Sequence, residues 1–360
     1  MARSVHYFSD SRQRGGAEAA LLLLLEHLDR TAWEPTLLYV PCEPLESVAE
    51  DARRLGVAVH PVPHVRELLR VLRRERPSVF HAHLSWPLAA RKQLATAIVA
   101  RVPAVVATYQ LFPPGSFGRT TPLQGRLLAC GVGRGIAVSD AIATALVERL
   151  GWPRRKIEVI RNSIPVDRYL GGRDPELRRE LSGGSDDFVF LTVARLDAQK
   201  GLDVLLRAAA SVDGARFVIA GGGVERDRLE QEAAALGVSE RVVFLGPRND
   251  VGALLAAADA FVLPSLFEGT PLALLEAMAA KKPIVATAIA GVEELVTANE
   301  SALLVAPGDP DALAAASQRI VAEPELRQSL AASARRRVET EFAVDASTLR
   351  VMSVYDELLR

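Results

Sequence analysis

The segment PSLFEGTPLALLEAMA, residues 264–279, decides how the second half of this chain folds. It follows the apolar segment Ala260–Leu263, which is short enough to be a buried strand. A turn containing glycine comes next. Thr270 is then predicted to cap a helix in which Pro271 takes the first position. The stretch therefore predicts a strand, a tight turn and a helix in direct succession.

Two carboxylates flank this predicted helix start. Glu268 lies on the turn, and Glu276 lies eight positions later, in the second turn of the helix. The first amides of a helix have no intrahelical partner and favour an anion. Carboxylates beside an anion site suit a ligand with both phosphates and hydroxyls, which describes a sugar nucleotide. The spacing alone fits an ordinary capped loop with a solvated Glu276 equally well.

Short apolar segments alternate with amphipathic helical stretches along both halves of the chain, a pattern typical of βαβ units and parallel sheets. The polar segment 165–187 interrupts the alternation and is predicted to join two domains. We therefore expect an α/β fold of two doubly wound, Rossmann-like domains facing a cleft, with ligands at the carboxyl ends of the strands. The predicted strands are 5–8, 36–40, 57–60, 79–82, 104–109, 136–138, 157–160, 188–194, 216–220, 242–245, 260–263, 284–287 and 303–305.

The composition of the 360-residue chain is that of a soluble globular protein, with 49% hydrophobic and 24% charged residues. Its two cysteines, Cys42 and Cys130, give neither a disulfide framework nor a metal-ligand cluster. Residues 1–9 lack the apolar run of a signal peptide, and the longest aliphatic run, residues 19–25, is too short to span a bilayer. We expect a cytoplasmic protein.

The net charge of −1 hides opposite charges on the two halves. Residues 1–165 contain 22 Lys and Arg against 14 Asp and Glu, a balance of +8, whereas residues 166–360 contain 21 against 30, a balance of −9. A basic half attracts an anionic acceptor, nucleic acid or an acidic membrane face. An arginine-rich genome would explain the same excess without any partner.

The first half offers two candidate sites at strand ends. The loop 12–18 contains Gly15 and Gly16, whose amides can approach a phosphate or a sugar, although glycines also serve plain turns. His81 and His83 alternate on a strand, so both imidazoles lie on one side. A base or hydroxyl-binding role fits them better than a metal, since no third ligand is suitably spaced. One of the two is alternatively a core histidine.

Two other segments of the first half have two interpretations each. Residues 65–76 predict a helix with an apolar face and an arginine-rich face, which suits a membrane surface or, more simply, solvent. The apolar, glycine-rich loop 110–118 either covers an acceptor or is a passive connection.

In the second half, Arg195 and Lys200 bracket the turn after the strand 188–194. An arginine fork and a lysine charge that converge on one spot suit a diphosphate, although surface cations are common. The triple glycine 221–223 lacks the order of a dinucleotide fingerprint. The sequence Asp-Pro-Asp at 309–311 is predicted to cap a helix rather than to bind a metal.

Together these segments resemble the retaining glycosyltransferases of family 4, which have the two-domain GT-B fold. The resemblance runs nearly end to end. It is most specific at Glu268 and Glu276, which match the family's Glu-x7-Glu pair. The other matching segments are residues 14–18, 81–83, 137–139, 160–164, 193–196, 200–201, 221 and 291–296.

The resemblance implies roles for the matching residues. The donor diphosphate would be bound by Arg195, Lys200, Gly16, Leu272 and Ala273. The donor ribose and sugar would be bound by Glu276, Glu268, Gly269, Thr270 and Pro271. Residues on the acceptor side would be His81, His83 and Gly15. The residues nearest the chemistry would be Glu268 and Gln110.

The resemblance also assigns the domains. Residues 1–165 would bind the acceptor and residues 166–345 the nucleotide sugar, while a helix in residues 346–360 would cross back to the first domain. Closure of the cleft would precede transfer.

One position departs from the family pattern. Many members carry a histidine after the fifth strand, where this chain has Gln110. Glutamine can hydrogen-bond a sugar hydroxyl but cannot act as a base. A retaining transfer in which the donor phosphate takes the acceptor proton tolerates this change. The alternatives are altered specificity and lost activity.

The sequence therefore predicts a metal-independent, cofactor-free hexosyltransferase that moves a sugar from a nucleoside-diphosphate sugar to an acceptor hydroxyl with retention of configuration. Expected products are cell-surface polysaccharides, glycolipids or secondary-metabolite glycosides. The basic first half suggests an anionic or lipid-linked acceptor and peripheral contact with the inner membrane face, and we expect no nucleic-acid partner. The alternatives are an inactive sugar-nucleotide-binding scaffold, a sugar-nucleotide epimerase, which the Glu-x7-Glu pair disfavours, and a nicotinamide oxidoreductase, which the missing fingerprint disfavours.

Overall fold

The structure is a computed structural model that describes residues 2–11, 13–115 and 121–360. These residues form two compact units. Unit 1 contains the chain up to Ser163 together with Val344–Arg360, and unit 2 contains Ile164–Ala343. The boundaries expected from the sequence, after residues 165 and 345, each lie two residues further along the chain.

Unit 1 is built on a seven-stranded parallel sheet with the order β3-β2-β1-β4-β5-β6-β7. The central strands β4 and β5 are buried along their whole length and are mostly apolar, although β4 carries His81 and His83 on one face. The strands are β1 (Arg3–Ser9), β2 (Trp33–Tyr39), β3 (Ala58–Pro61), β4 (Val79–Leu84), β5 (Ala104–Tyr109), β6 (Arg134–Ala137) and β7 (Ile157–Val159).

The first six helices connect these strands and cover both faces of the sheet. Helices α1 and α2 share one apolar cluster with the sheet, and α3 to α6 share the cluster on the opposite face. Helix α6 shows how the sequence sets the ends: Ser139 accepts a hydrogen bond from the Ile142 amide, and Gly151 stops the helix in a left-handed conformation. The helices are α1 (Gly16–His27), α2 (Glu43–Arg54), α3 (Val65–Glu75), α4 (Arg91–Val99), α5 (Thr121–Gly131) and α6 (Asp140–Leu150).

Unit 2 repeats this architecture with a six-stranded parallel sheet of order β10-β9-β8-β11-β12-β13. Its strands are β8 (Phe188–Val193), β9 (Ala215–Ala220), β10 (Val242–Gly246), β11 (Ala260–Leu263), β12 (Ile284–Thr287) and β13 (Leu303–Val305). Its helices are α7 (Pro175–Ser182), α8 (Leu202–Ala209), α9 (Arg226–Ala235), α10 (Val251–Ala257), α11 (Leu272–Ala279), α12 (Ala290–Glu293), α13 (Pro310–Ala322) and α14 (Pro324–Glu341). Short 3-10 turns occur at Arg154–Lys156, Val166–Tyr169 and Ala198–Lys200.

The last helix, α15 (Val344–Leu358), belongs to unit 1 and packs beside α1. Its Tyr355 side chain is fully buried. The hydroxyl group of Tyr355 lies 2.6 Å from Nδ1 of His81 on β4 and 3.1 Å from the hydroxyl of Tyr7 on β1. A buried polar contact of this kind fixes the position of α15, because any other placement would leave these groups without partners.

The predicted fold of two Rossmann-like parallel sheets is confirmed, and all thirteen predicted strands are present among the described residues. Three details differ from the prediction. Helix α11 begins at Leu272, so Pro271 rather than Thr270 is its cap residue, because Pro271 has an extended backbone conformation. The segment 165–187 is not a plain junction, since it contains α7, which Asp174 caps. The last helix begins at Val344 rather than at residue 346.

Each sheet has one point where the chain order reverses. In unit 1 this point lies between β1 and β4, and in unit 2 it lies between β8 and β11. The loops that leave two such strands diverge to opposite faces of the sheet, which opens a crevice at the carboxyl edge. The two crevices are the positions where the fold predicts ligands.

Two glycines let the loops around the unit 2 crevice approach each other. Gly201, after β8, has a φ of +59°, and a Cβ atom there would lie 2.2 Å from the carbonyl oxygen of Pro264. A Cβ atom on Gly291 would lie 2.2 Å from the carbonyl oxygen of Gly269. Only glycine allows these main chains to lie so close.

We expect Gly201→Ala to destabilise the protein more than Gly237→Ala. Both glycines are left-handed, which costs alanine about 1–2 kcal/mol, but a Cβ atom on Gly237 would meet nothing within 4 Å. The collision with Pro264 should add about 1–3 kcal/mol. Urea unfolding of the two variants measures the difference, and equal losses of stability would contradict the close approach of the two loops.

Candidate functional site

The unit 2 crevice is lined by the loops after β8 and β11. The β8 loop carries Arg195 and Lys200, and the β11 loop carries Glu268. The amide of Leu266 donates to the carbonyl of Gln199 over 2.8 Å, which joins the two loops through their main chains. The structure thus brings together the two cations and the first carboxylate of the Glu-x7-Glu pair.

An ion pair between Lys200 and Glu268 lies at the centre of this crevice. The Lys200 Nζ atom is 2.5 Å from Oε1 of Glu268, and the two side chains are 15% and 7% exposed. Ser265 donates a second hydrogen bond to the same oxygen, at 2.8 Å. Since Lys200 has three donors, its ammonium group can hold Glu268 and an incoming anion at once.

Gln199 links the ion pair to Arg195. Its Nε2 atom lies 2.9 Å from the carbonyl of Phe267 and 3.3 Å from Oε2 of Glu268. Its Oε1 atom accepts from the Arg195 guanidinium at 3.3 Å, and Asp197 pairs with the same guanidinium at 3.0 Å. Sequence reasoning gave no role to Gln199, because a glutamine between two cations follows no recognisable pattern.

Helix α11 begins beside this ion pair. Pro271 is its cap, and the carbonyl of Pro271 accepts from the amides of Leu274 and Leu275. The amides of Leu272 and Ala273 precede the first intrahelical hydrogen bonds and remain available to an anion. The neighbouring Gly269 and Thr270 are buried in the turn.

Glu276 lies on α11, and its carboxylate accepts a hydrogen bond from the Tyr169 hydroxyl at 2.8 Å. Burial raises the pKa of Glu276, and the Tyr169 hydrogen bond partly offsets this effect. Tyr169 lies in the 3-10 turn Val166–Tyr169, more than one hundred residues before its partner. No sequence pattern marked it, because the contact depends on how that turn packs against α11.

In unit 1, the β1–α1 loop lies at the sheet's own reversal point. The Gly15 amide donates to Oε2 of Glu18 at 2.9 Å, which closes the first turn of α1. A Cβ atom on Gly16 would meet no described atom within 4 Å. Packing therefore does not require glycine at position 16, and the space beside it is open to a ligand.

Two carboxylates that the sequence did not single out lie at this reversal point. Burial raises the pKa of Glu18 to about 7 against the effect of hydrogen bonds from Ser11 and main-chain amides. Burial also raises the pKa of Asp10, whose Oδ1 atom accepts from the amide and the hydroxyl of Ser85 after β4. Asp10 thus ties the ends of β1 and β4 together.

The structure separates the roles of the two histidines on β4. His81 is a core residue, because Tyr355 and Thr108 hydrogen-bond its two ring nitrogens. His83 is also buried, but neither of its ring nitrogens has a partner among the described residues. Burial lowers the pKa of His83 to about 3, so its ring is neutral at physiological pH.

A cavity of about 50 Å³ adjoins His83 at the carboxyl edge of unit 1. Gln110 and Asn162 line it, and Asn162 donates to the Gln110 side-chain oxygen at 2.8 Å. The same cavity is also lined by aliphatic side chains, among them Leu24 and Ile160. A cavity of this size with a few polar groups can hold a water molecule or a hydroxyl group.

Some predictions concern residues outside the described part of the chain, namely Arg12 of the first loop and residues 116–118 of the loop that follows β5.

Among the described residues, no three His, Cys, Asp or Glu side chains are grouped so that they could hold a metal ion. Asp309 caps α13 by accepting from the Ala312 amide, as predicted. No described helix is both long and apolar enough to cross a membrane.

Comparison with known proteins identifies the family. The family model for Glycosyltransferase Family 4 matches residues 14–168, and the model for Glycosyl transferases group 1 matches residues 174–337. The chain belongs to the family 4 glycosyltransferases. Each of the two models matches most of one unit of this GT-B protein.

Curated relatives include the lipopolysaccharide core biosynthesis glycosyltransferase LpsD of Rhizobium meliloti, 34% identical over 59% of this chain and 60% of the relative. The D-inositol 3-phosphate glycosyltransferase of Salinispora tropica is 32% identical over 62% of this chain and 50% of the relative. The chain thus spans about half to three fifths of these relatives. HepE of Anabaena, solved in complex with UDP and glucose, has a TM-score of 0.86 at 22% identity, covers 99% of this chain and is itself fully covered.

The pH dependence of stability tests the environment of Glu18. Its pKa is about 7 in the folded protein against 4.5 normally, so the folded state binds the extra proton and stability falls as pH rises through this window. Relative to Glu18→Gln, the wild type should lose roughly 3 kcal/mol between about pH 4 and pH 8. Urea unfolding at a series of pH values measures this, and parallel curves would show that Glu18 is not buried as described.

Proposed function

We propose that this protein transfers a hexosyl group from a nucleoside-diphosphate sugar to an acceptor hydroxyl with retention of anomeric configuration. The observation that carries the proposal is the Lys200–Glu268 ion pair beside the free start of α11. Cations, free amides and carboxylates in one crevice match a ligand that has a diphosphate and hydroxyls. The 22% identical HepE, which has the same fold, was solved with UDP and glucose.

The diphosphate would bind between Lys200 and the first amides of α11. Lys200 is largely buried and already oriented by Glu268 and the neighbouring loop, so little reorganisation would accompany binding. Arg195, held by Gln199 and Asp197, would add a second cation from the same loop. These groups would stabilise the negative charge that develops on the diphosphate when it leaves.

The two glutamates would bind the two hydroxyl-bearing parts of the donor. Glu276 is oriented by Tyr169, and its carboxylate retains acceptor capacity for the ribose hydroxyls. Glu268 would accept from hydroxyls of the donor sugar and stabilise positive charge at the sugar ring. Lys200 and Ser265, which both contact Oε1 of Glu268, would hold its carboxylate in place for this role.

The acceptor would bind to unit 1. Gly15, the ring of His83, whose nitrogens have no partner among the described residues, and the cavity at Gln110 are suited to hydroxyl groups. Two relatives are named for lipopolysaccharide core biosynthesis and for inositol 3-phosphate. Together with the balance of +8 on residues 1–165, this supports an anionic or lipid-linked acceptor, reached by peripheral contact with the inner membrane face.

In the proposed reaction, the bond between the sugar C1 atom and the donor phosphate oxygen breaks, and a bond from C1 to the acceptor oxygen forms on the same face of the sugar. The acceptor proton passes to the leaving phosphate oxygen, so the products are the glycoside and the nucleoside diphosphate. Gln110 would position a hydroxyl without exchanging a proton. No metal or cofactor is needed for this balance.

A thermal-shift screen with UDP, GDP, ADP and dTDP sugars tests the proposal, because a ligand that binds only the folded state raises the melting temperature. A stabilising donor then goes into transfer assays, where NMR of the product reports the anomeric configuration. Inversion would contradict the retaining mechanism. Stabilisation without turnover with any acceptor would favour the inactive scaffold.

We expect Lys200→Ala to reduce transfer by about 100-fold or more, which is the typical effect of removing a preorganised electrostatic group. Glu276→Ala should instead weaken donor binding by about tenfold, the loss expected for one charged hydrogen bond. The exposed Glu240 provides a control, and Glu240→Ala should keep wild-type kinetics. Wild-type turnover in both site variants would refute the assignment of the crevice.

A further inference from the structure

A long segment of unit 1 contains no acidic residue. Residues 76–139 include seven Lys and Arg and no Asp or Glu. At the average acidic content of the chain, about eight carboxylates would occur in these 64 residues. Buried strands account for part of this bias, but the segment also supplies the surface helices α4 and α5.

Large aliphatic side chains are exposed on the same helices. Val99 on α4 is 63% exposed, and Leu123 and Leu127 on α5 are 61% and 66% exposed. The two leucines are four residues apart and therefore lie on one face of α5. Helix α4 packs between α3 and α5, so these side chains belong to a continuous helical layer. We call the outer surface of α3, α4 and α5 the basic face.

An apolar groove of about 200 Å³ runs between α3 and α4 on the basic face. Its lining residues are Val65, Arg66, Leu69, Ala95, Thr96 and Val99. Arg66 is exposed at its edge. An apolar groove with a cation at its edge suits a molecule with a hydrocarbon chain and an anionic head.

Some cations of the basic face are paired within their own helix. On α3, Arg70 pairs with Glu67 and Arg74 pairs with Glu75. Several exposed cations of the basic face form no ion pair with any described residue, namely Arg66, Arg91, Lys92, Arg101 and Arg126. Their charge is therefore available to an external anion.

Helix stability does not explain the position of two of these cations. Arg91 and Lys92 are the first residues of α4, and the first turn of α4 has no acidic residue. The positive end of the helix dipole disfavours cations at this position. Side chains that oppose the helix dipole and lack partners point to a role in binding.

We propose that the basic face docks on a bilayer containing anionic lipids. Unpaired cations would contact the headgroups, while Leu123 and Leu127 would enter the boundary between headgroups and acyl chains. The exposed apolar groups are mainly aliphatic, which favours lipid over single-stranded nucleic acid, whose bases need aromatic stacking platforms. An acidic protein partner would need complementary carboxylates, and that possibility is an outcome of the test below.

The basic face lies near the residues that we propose bind the acceptor. This part of the inference rests on the proposed function. In parallel βαβ units each helix starts near the carboxyl edge of the sheet, so Arg91, Lys92 and Leu123 lie towards that edge. Gln110 and His83 lie at the same edge of unit 1. A bilayer on the basic face would therefore present a lipid-linked hydroxyl near the acceptor residues.

Co-sedimentation with phosphatidylcholine vesicles, with and without phosphatidylglycerol, tests the proposal on the full chain. The wild type should bind only the vesicles that contain phosphatidylglycerol, and added salt should weaken binding because it screens surface charge. The double variant L123E/L127E should lower the vesicle partition coefficient by about tenfold or more. R91E/K92E should have a similar effect through charge alone.

A matched control places the same substitution on other exposed apolar positions. Leu349 on α15 and Val224 in unit 2 are 62% and 82% exposed, and the variant L349E/V224E should bind vesicles like the wild type.

The thermal shift produced by a nucleoside-diphosphate sugar is measured in every variant, so that misfolding is recognised. A wild type without such a shift that still binds vesicles would refute the proposed function and leave the docking surface intact.

Three results would overturn the docking surface. The first is a wild type that does not bind phosphatidylglycerol vesicles at low salt, and the second is L123E/L127E binding as well as the control. The third is a change of oligomeric state in L123E/L127E, seen by light scattering, without any loss of vesicle binding. That last result would identify the basic face as an interface between proteins.

Discussion

The Lys200–Glu268 ion pair is the interaction on which the unit 2 site depends. It joins the loops after β8 and β11, the two strands between which the chain order of the sheet reverses. Removing one member would leave the other charge largely buried without a partner, which is costly. Gly201 makes the pair possible, because any larger residue would push the two loops apart. The pair orients a cation and a carboxylate before any ligand binds.

Unit 1 depends on a different constraint, the docking of α15 onto its sheet. His81 and Tyr355 hydrogen-bond each other in the core and hold the last helix against strands from the start of the chain. This use of His81 removes it from solvent and leaves His83 as the histidine with available nitrogens.

The fold was predictable because buried parallel strands are short apolar runs, and those runs are visible in the sequence. The β11–α11 stretch and the cations after β8 were predictable for the same reason, since ligand loops follow strand ends. Gln199, Tyr169 and Asp10 were not, because their roles come from contacts between loops distant in sequence. Thr270 was placed wrongly at the helix cap because its residue type favours a cap, whereas Pro271 takes that position.

Calorimetric titration of a nucleoside diphosphate into two variants tests the central claim most directly, namely that Lys200 is held by Glu268 until the diphosphate binds. Lys200→Met should weaken binding by about tenfold or more, since a charged hydrogen bond to phosphate is lost. Glu268→Gln should bind the nucleoside diphosphate as tightly as the wild type or more tightly, because it frees the ammonium group. If Glu268→Gln weakened binding as much as Lys200→Met, Glu268 would itself be needed to bind the diphosphate, and the account would be wrong.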